Sequence, residues 1–419
     1  MKFTKMSLVA ALLVGSSAFA IENTKVSGDA KLYYQTTSSE LAKDSSSADT
    51  ALNLNLTTDL VKNDLVSVSA GAGYTVLSTL GLEQNLVSST WGGAHSITGN
   101  TSSRGAVVNT ADWMNEAWLA VSLNKASKTT LKLGRMKLDT PLAFTETWSI
   151  EQNSFEAIVA INQDIPDTTI VAAYVGNGNG TEALAGQPAQ GPVATAAVVN
   201  QDGKFDTYGK SGAYTVAVIN NSFKPVVAQA WYYNVTGVAT AYWLQADLNC
   251  QKVKGLTAGV QYTSVESVGD NKTADTAYAL KVGYEVENLL TASLAYSSVN
   301  DDGSIGYAGF NTATSAGAAQ SKLYTEAWWS YGNVTKSGSD SINLTVEGNV
   351  MDYADLGLYV TAISNDGSTM HPSAEDLTEV AFTVSKSFGP LDVTAAIIND
   401  NPENGDSTNY GQAYLTLNF

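Results

Sequence analysis

Histidine, cysteine and positive charge are all scarce in this 419-residue sequence, which has two histidines, one cysteine, and 22 Lys+Arg against 40 Asp+Glu. Each shortage excludes something. Cys250 cannot close an internal disulfide on its own and reads as a tolerated free thiol. His95 and His371 stand in expected loops, with no serine or acid at a spacing that completes a nucleophilic triad, so the chain reads as no enzyme. A formal net charge of -18 leaves no basic footprint for nucleic acid. The run Gly176-Asn177-Gly178-Asn179-Gly180 is followed by no helix and no Lys-Ser/Thr pair, so it reads as a flexible loop rather than a phosphate cradle.

Linkers and long apolar runs are missing too. With no Pro/Ser/Gly-rich break and no shift in composition, residues 21–419 read as one domain. The start of the chain reads as a cleaved signal peptide over residues 1–20. Lys2 and Lys5 give a positive segment, Met6 to Gly15 an apolar one, and Ser17-Ala18-Phe19-Ala20 a small-residue cleavage site. Removing it with its two lysines takes the formal charge from -18 to -20. Beyond it no stretch approaches the roughly 20 apolar residues that a spanning helix needs.

What the chain does have is alternation. Val26, Gly28, Ala30, Leu32 and Tyr34 share one face of a strand, while Ser27, Asp29, Lys31, Tyr33 and Gln35 share the other. The same two-residue period recurs in Leu52-Leu54-Leu56, Leu256-Ala258-Val260-Tyr262, Tyr278-Leu280-Val282-Tyr284, Ile342-Leu344-Val346 and Val380-Phe382-Val384. A soluble sandwich would alternate as well, so other features must place the apolar face in lipid. The chain ends on a strand whose last residue is Phe419, the kind of C-terminal signal read by the barrel-assembly machinery. Connections alternate between short (Lys62-Asn63-Asp64, Asp164-Ile165-Pro166-Asp167, Phe388-Gly389-Pro390) and long (77–112, 177–207, 300–320), as periplasmic turns and extracellular loops do. Aromatics at strand ends, Trp231-Tyr232-Tyr233, Tyr242-Trp243 and Trp328-Trp329, suggest headgroup-level belts.

The expected fold is therefore all-β: a transmembrane antiparallel up-and-down β-barrel in the bacterial outer membrane, among lipid and lipopolysaccharide. Nineteen strand-like segments can be counted, yet a bacterial single-chain barrel needs an even number. Residues 321–364 are the doubtful region, where Glu326-Ala327-Trp328-Trp329 fits a loop better than a full strand. At roughly 22 residues per strand and connection the count is about 18, with 16 possible. A barrel of that size encloses water.

Several segments carry a family resemblance: VSGDAKLYYQ near the start, LGRMKLDTPL at 133–142, KLYTEAWW at 322–329, SFGPLDVTAA at 387–396 and the YLTLNF ending. Together they resemble the Campylobacter-type major outer-membrane porins of epsilonproteobacteria. The core Gly134-Arg135-Met136-Lys137-Leu138-Asp139-Thr140-Pro141 is also similar to a segment of Pseudomonas-type substrate-specific porins. The resemblance implies an 18-stranded barrel, a homotrimer, a loop folded into the lumen, a preference for cations and a calcium ion near the constriction. Asn200 to Gly203 and Asp301-Asp302 are oxygen-rich, but acidic loops are usually only solvated, and no other cofactor is expected.

Alternation assigns Asp29, Lys31, Glu116, Lys132, Glu156, Lys281, Glu285 and Glu347 to the channel lumen. Acids outnumber lysines there by five to three, which favours entry of cations. The constriction is expected in the third long-side connection, 139–154, with Asp139, Glu146 and Glu151 facing Arg135 and Lys137 across the pore. Arg135 shares a face with Leu131 and Leu133, so the strand should bulge at Gly134 or leave the membrane there. The function expected is a porin passing small hydrophilic solutes and ions by passive diffusion. A substrate-specific channel would need aromatic or basic tracks through the lumen. A surface adhesin would need a far longer insertion than the 36 residues of 77–112.

Overall fold

The computed structural model describes residues 22–39, 45–78, 110–146, 150–179, 205–208, 211–269, 272–311, 319–350, 353–373 and 375–419. The expected signal peptide, His95 and the Asn200 to Gly203 turn lie outside them. Eighteen antiparallel strands follow one another: β1 (Glu22–Ser39), β2 (Ser45–Lys62), β3 (Val66–Ser78), β4 (Thr110–Leu123), β5 (Thr129–Met136), β6 (Phe155–Asn162), β7 (Thr168–Gly178), β8 (Ala213–Asn220), β9 (Val226–Val235), β10 (Ala239–Asn249), β11 (Leu256–Ser267), β12 (Asp275–Val286), β13 (Leu290–Val299), β14 (Ser339–Val350), β15 (Ala354–Asn365), β16 (Leu377–Phe388), β17 (Leu391–Pro402) and β18 (Thr408–Asn418). Each pairs with its neighbours in sequence. A two-residue strand, Asp206–Thr207, adds to the end of β7.

The sheet closes where β1 meets β18, from Asp29 opposite Asn418 to Ser39 opposite Thr408. Closure removes both edges, which lipid could not satisfy with hydrogen bonds. At the seam the Gly28 and Phe419 backbones exchange hydrogen bonds of 2.8 and 2.9 Å. The Phe419 ring lies where a Cβ on residue 28 would stand, 2.6 Å from that position. The terminal aromatic thus packs over the one residue type that leaves room for it.

The alternation sorts the two faces. Leu32, Leu52, Leu280, Val282, Ile342 and Leu344 point outward and are exposed, while Tyr33, Ala51, Asn53, Ala279 and Asn343 on the same strands point inward and are buried. An apolar face turned out of the wall is the reverse of a soluble fold and matches a lipid-facing band. The aromatic belt differs from expectation. Trp231, Tyr233 and Trp243 have inward parity and are buried inside, and Trp329 is buried on an inner loop. The outward girdle is made of tyrosines instead: Tyr174 and Tyr214 (4.9 Å between ring centroids), Tyr232 and Tyr242 (5.2 Å) and Tyr278 and Tyr296 (6.1 Å) meet as tilted ring pairs.

The start of β1, the end of β18 and eight short turns share one end of the barrel, and nine connections share the other. We call these the short-turn and wide-loop ends. Residues 322–329 form no barrel strand; they belong to a connection that runs from 300 to 338. Among the described residues no helix is long and apolar enough to cross a membrane.

Candidate functional site

The lumen is shaped by two wide-loop connections whose described parts, 137–146 with 150–154 and 300–311 with 319–338, fold inward. Within the second, residues 321–331 form an inner strap lying across the wall from β10 to β18. Each strand it crosses offers an inward side chain. Gln261 donates to the Lys322 carbonyl (2.8 Å) and accepts the Tyr324 N–H (2.9 Å), and the Tyr324 hydroxyl donates to Asp247 (2.6 Å). Thr325 shares a hydrogen with Ser297 at 2.5 Å, and Asn343 reaches the Glu326 carbonyl at 3.4 Å. The backbone N–H groups of Trp328, Trp329 and Ser330 all point at the Glu379 carboxylate. The row is built by register, since Asn343 faces Thr361, Thr361 faces Glu379 and Glu379 faces Asp400.

The 137–154 connection is anchored on two sides. Leu142 and Ala143 join Trp231, Tyr233 and Trp243 in the main apolar cluster, and Ile150 packs with Tyr33, Leu77 and Trp113 in a second. Its polar groups bind the wall and the other inward connection. The Phe144 N–H donates to Asn311 (2.8 Å), and Glu151 accepts from Asn53 (2.8 Å) and lies 3.5 Å from Lys31. Burial pushes the Glu151 carboxyl above its ordinary range, against the opposing pull of Lys31 and Asn53. Glu146 is also buried, and the Glu146 N–H is held by Asn153 at 2.8 Å.

The expected pairing across the pore is corrected by these contacts. Asp139 and Glu151 find their ion-pair partners elsewhere than at Arg135 and Lys137. Asp139 pairs with Lys322 of the strap, Glu151 with Lys31, and Lys137 lies 4.0 Å from Glu116. The connection is long enough to carry its acids past its own strand ends, to the β1–β2 wall and to the strap. Arg135 stays at the rim, donating to Glu156 (2.8 Å) and to the Met114 carbonyl (3.0 Å), with the Phe205 ring 4.0 Å away.

The local backbone explains that position. The β4–β5 ladder runs without a register shift through Gly134, so β5 does not bulge there. Gly134 instead takes φ +118°, and a Cβ on it would meet the Ala117 carbonyl at 2.1 Å. Arg135 is then the next-to-last residue of β5, already at the strand's exit. Glu156 likewise departs from its lumen assignment: it shares the face of exposed Ile158, and it faces Arg135 across the ladder at the same rim level.

The other candidates take inward positions. Asp29 and Lys31 stand 3.4 Å apart on β1. Lys132 lies over the Trp118 ring at 4.1 Å, Lys281 over Tyr324 at 4.1 Å and Lys322 over Phe144 at 5.2 Å. Glu285 and Glu347 line a cavity of about 530 Å³ at the short-turn end, together with Asp355, Tyr359, Thr383 and Ser385. Among the described residues no group of three or more His, Cys, Asp or Glu side chains is arranged to hold a metal ion.

Sequence reading missed Asp247, Gln261, Asn343, Glu379, Asp400 and Lys322. Apart from Lys322, which lies in the strap itself, their signal was present but faint: a polar residue on the wetted face of several of the strands that the strap crosses. Alternation alone ranks such residues with every other lumen-facing polar group.

No family model matches the chain, and none of the curated proteins does. Solved structures do. The chain is similar to OccAB4 of Acinetobacter baumannii (TM-score 0.72, 14% identity), covering 95% of this chain and 99% of that one. It is similar to OccK9 (OpdG) of Pseudomonas aeruginosa (TM-score 0.74, 10% identity, 95% and 98% covered). A third is Pseudomonas aeruginosa OpdK, solved with vanillate (TM-score 0.71, 11% identity, 94% and 98% covered). At these identities the likeness is one of fold: a closed 18-stranded antiparallel barrel of the bacterial outer-membrane, multi-pass type. The Campylobacter-type family resemblance is not what these neighbours represent.

Proposed function

We propose that this chain is a narrow, solute-selective diffusion channel of the outer membrane rather than a wide general-diffusion porin. The observation that carries the reading is the cover on the inner wall. Described parts of two connections lie against the inner wall of the wide-loop half, and lysines lie over aromatic rings there. A passage walled by fixed charges and ring faces selects by chemistry as well as by size. The fold neighbours support it, since they are outer-membrane channels and not enzymes, and one was solved with a small aromatic acid.

Ions that pass are cation-preferring in this proposal, because Glu285, Glu347 and Asp355 line the cavity below the strap with no lysine or arginine among its lining residues. The homotrimer implied by the porin resemblance belongs to the same proposal, and chemical crosslinking reads it. The deciding experiment is swelling of proteoliposomes in a panel of solutes matched in size and differing in charge and aromaticity. Rates that spread roughly tenfold or more at constant size support selectivity, a difference of about 1.4 kcal/mol in passage. Rates that follow size alone return the chain to the general-diffusion class.

A further inference from the structure

The strap's fastening to the wall is uneven along its length. From 321 to 326 it is held by single hydrogen bonds between neutral groups or to neutral side chains. The Tyr324–Asp247 bond is the exception there. From 328 to 330 the arrangement changes. Glu379, 1% exposed on the inner face of β16, accepts Trp328 N–H at 2.8 Å and Trp329 N–H at 3.0 and 3.2 Å, and Ser330 N–H at 2.6 Å. Three successive backbone N–H groups thus converge on one carboxylate, the geometry of an anion nest whose anion is supplied by the wall itself. The Ser330 hydroxyl donates to Asp400, which faces Glu379 across the β16–β17 ladder. Rings close both sides: Trp328 lies 6.2 Å from Tyr359, and Trp329 lies 5.7 Å from Tyr410.

Charge-assisted hydrogen bonds in a water-poor site are roughly twice as strong as neutral ones. Leaving buried donors without an acceptor costs more than the bond itself is worth. The catch therefore gathers three charge-assisted backbone hydrogen bonds at one point of the strap. Its partners are backbone atoms, so nothing but the carboxylate chemistry of the wall selects it.

We propose that Glu379, with Asp400 beside it, is the positioning residue that sets the open cross-section and charge selectivity of the channel by pinning residues 328–330 to the wall. Neither side chain needs to touch the permeating solute. The inference rests on the channel reading above, and its test separates the two. In planar bilayers the wild type is compared with Glu379→Gln and Asp400→Asn under a salt gradient. Glutamine keeps the shape but offers one acceptor oxygen, and it turns an NH₂ group toward N–H donors. Release of the strap raises single-channel conductance about twofold and moves the reversal potential toward zero, with Asp400→Asn acting in the same direction and less strongly. A fold role alone would lower the amount of inserted protein without moving the reversal potential of the channels that do form.

Identical conductance and reversal potential in folded Glu379→Gln protein overturn the proposal. Should that variant fail to assemble, hydrogen exchange of the wild type decides. The N–H groups of 328–330 then exchange far more slowly than those of 322–326, and equal exchange across the strap overturns it. A wild type without current defeats the channel reading and leaves the catch to be judged by exchange.

Discussion

The two halves of the inner wall are made by the same strands and differ in what covers them. On β12, Ala279 is fully buried, whereas Glu285, six residues nearer the short-turn end and on the same face, is exposed. On β14 the same step runs from Asn343, 3% exposed, to exposed Glu347. On β15 it runs from Asp355, exposed, to Thr361, 1% exposed. Strand geometry cannot produce this contrast, because pleat and parity are unchanged along each strand. The strap and the 137–154 connection produce it, and they turn a wetted wall into a packed interior on one side only. The wide-loop half thus behaves energetically like a protein core and the short-turn half like a surface.

That contrast can be broken by substitution, and the packed half should suffer most. Gly134→Val places a Cβ against the Ala117 carbonyl at a φ that valine avoids. It should cost more than about 2 kcal/mol, read as a lower midpoint in urea unfolding from detergent micelles. Next comes Asn53→Ala, which removes the buried amide donating to both Asp29 (2.9 Å) and Glu151 (2.8 Å). The loss of about 1–3 kcal/mol should appear in the same titration, because a buried acceptor loses its donor.

In the wetted half, the paired change Glu285→Gln with Glu347→Gln should leave stability within about 0.5 kcal/mol. Its effect should show instead in a reversal potential displaced toward anions, and an unchanged potential would remove these two acids from the selectivity argument. The smallest effect is expected at the short turn 163–167. There Ser127, the Lys128 N–H and Asn162 hold the Asp164 carboxyl down at about 2. A depressed folded-state value stabilises above the unfolded one and is lost as pH falls through the folded value, from about pH 4 to pH 2. Asp164→Asn should therefore lower stability slightly at neutral pH, where the contribution is fully present, and converge on the wild type as pH falls to about 2. Between pH 4 and pH 2 its acid sensitivity should be shallower than the wild type's.

The barrel was legible in the sequence because period-two alternation follows from backbone geometry. The strap was not, and its own pattern shows why. Residues 321–331 alternate between buried and half-buried, with Leu323, Thr325, Ala327 and Trp329 turned one way and Lys322, Tyr324, Glu326 and Trp328 the other. A segment held by side chains, even one with a turn at 323–326, can carry the same alternation of burial as a strand held by a ladder. Partners of Asp139 and Glu151 were hidden for a related reason. Alternation fixes which face a residue takes, but how far a connection reaches across a lumen depends on apolar anchors such as Leu142 and Ile150, whose contacts lie far away in sequence.

The most direct measurement of a one-sided cover is polymer exclusion in planar bilayers, with polyethylene glycols of graded size added to one side at a time. A packed wide-loop half predicts asymmetry: polymers that enter from the short-turn side and lower the conductance are excluded from the wide-loop side. The same size cut-off from both sides, together with a large conductance, would contradict it.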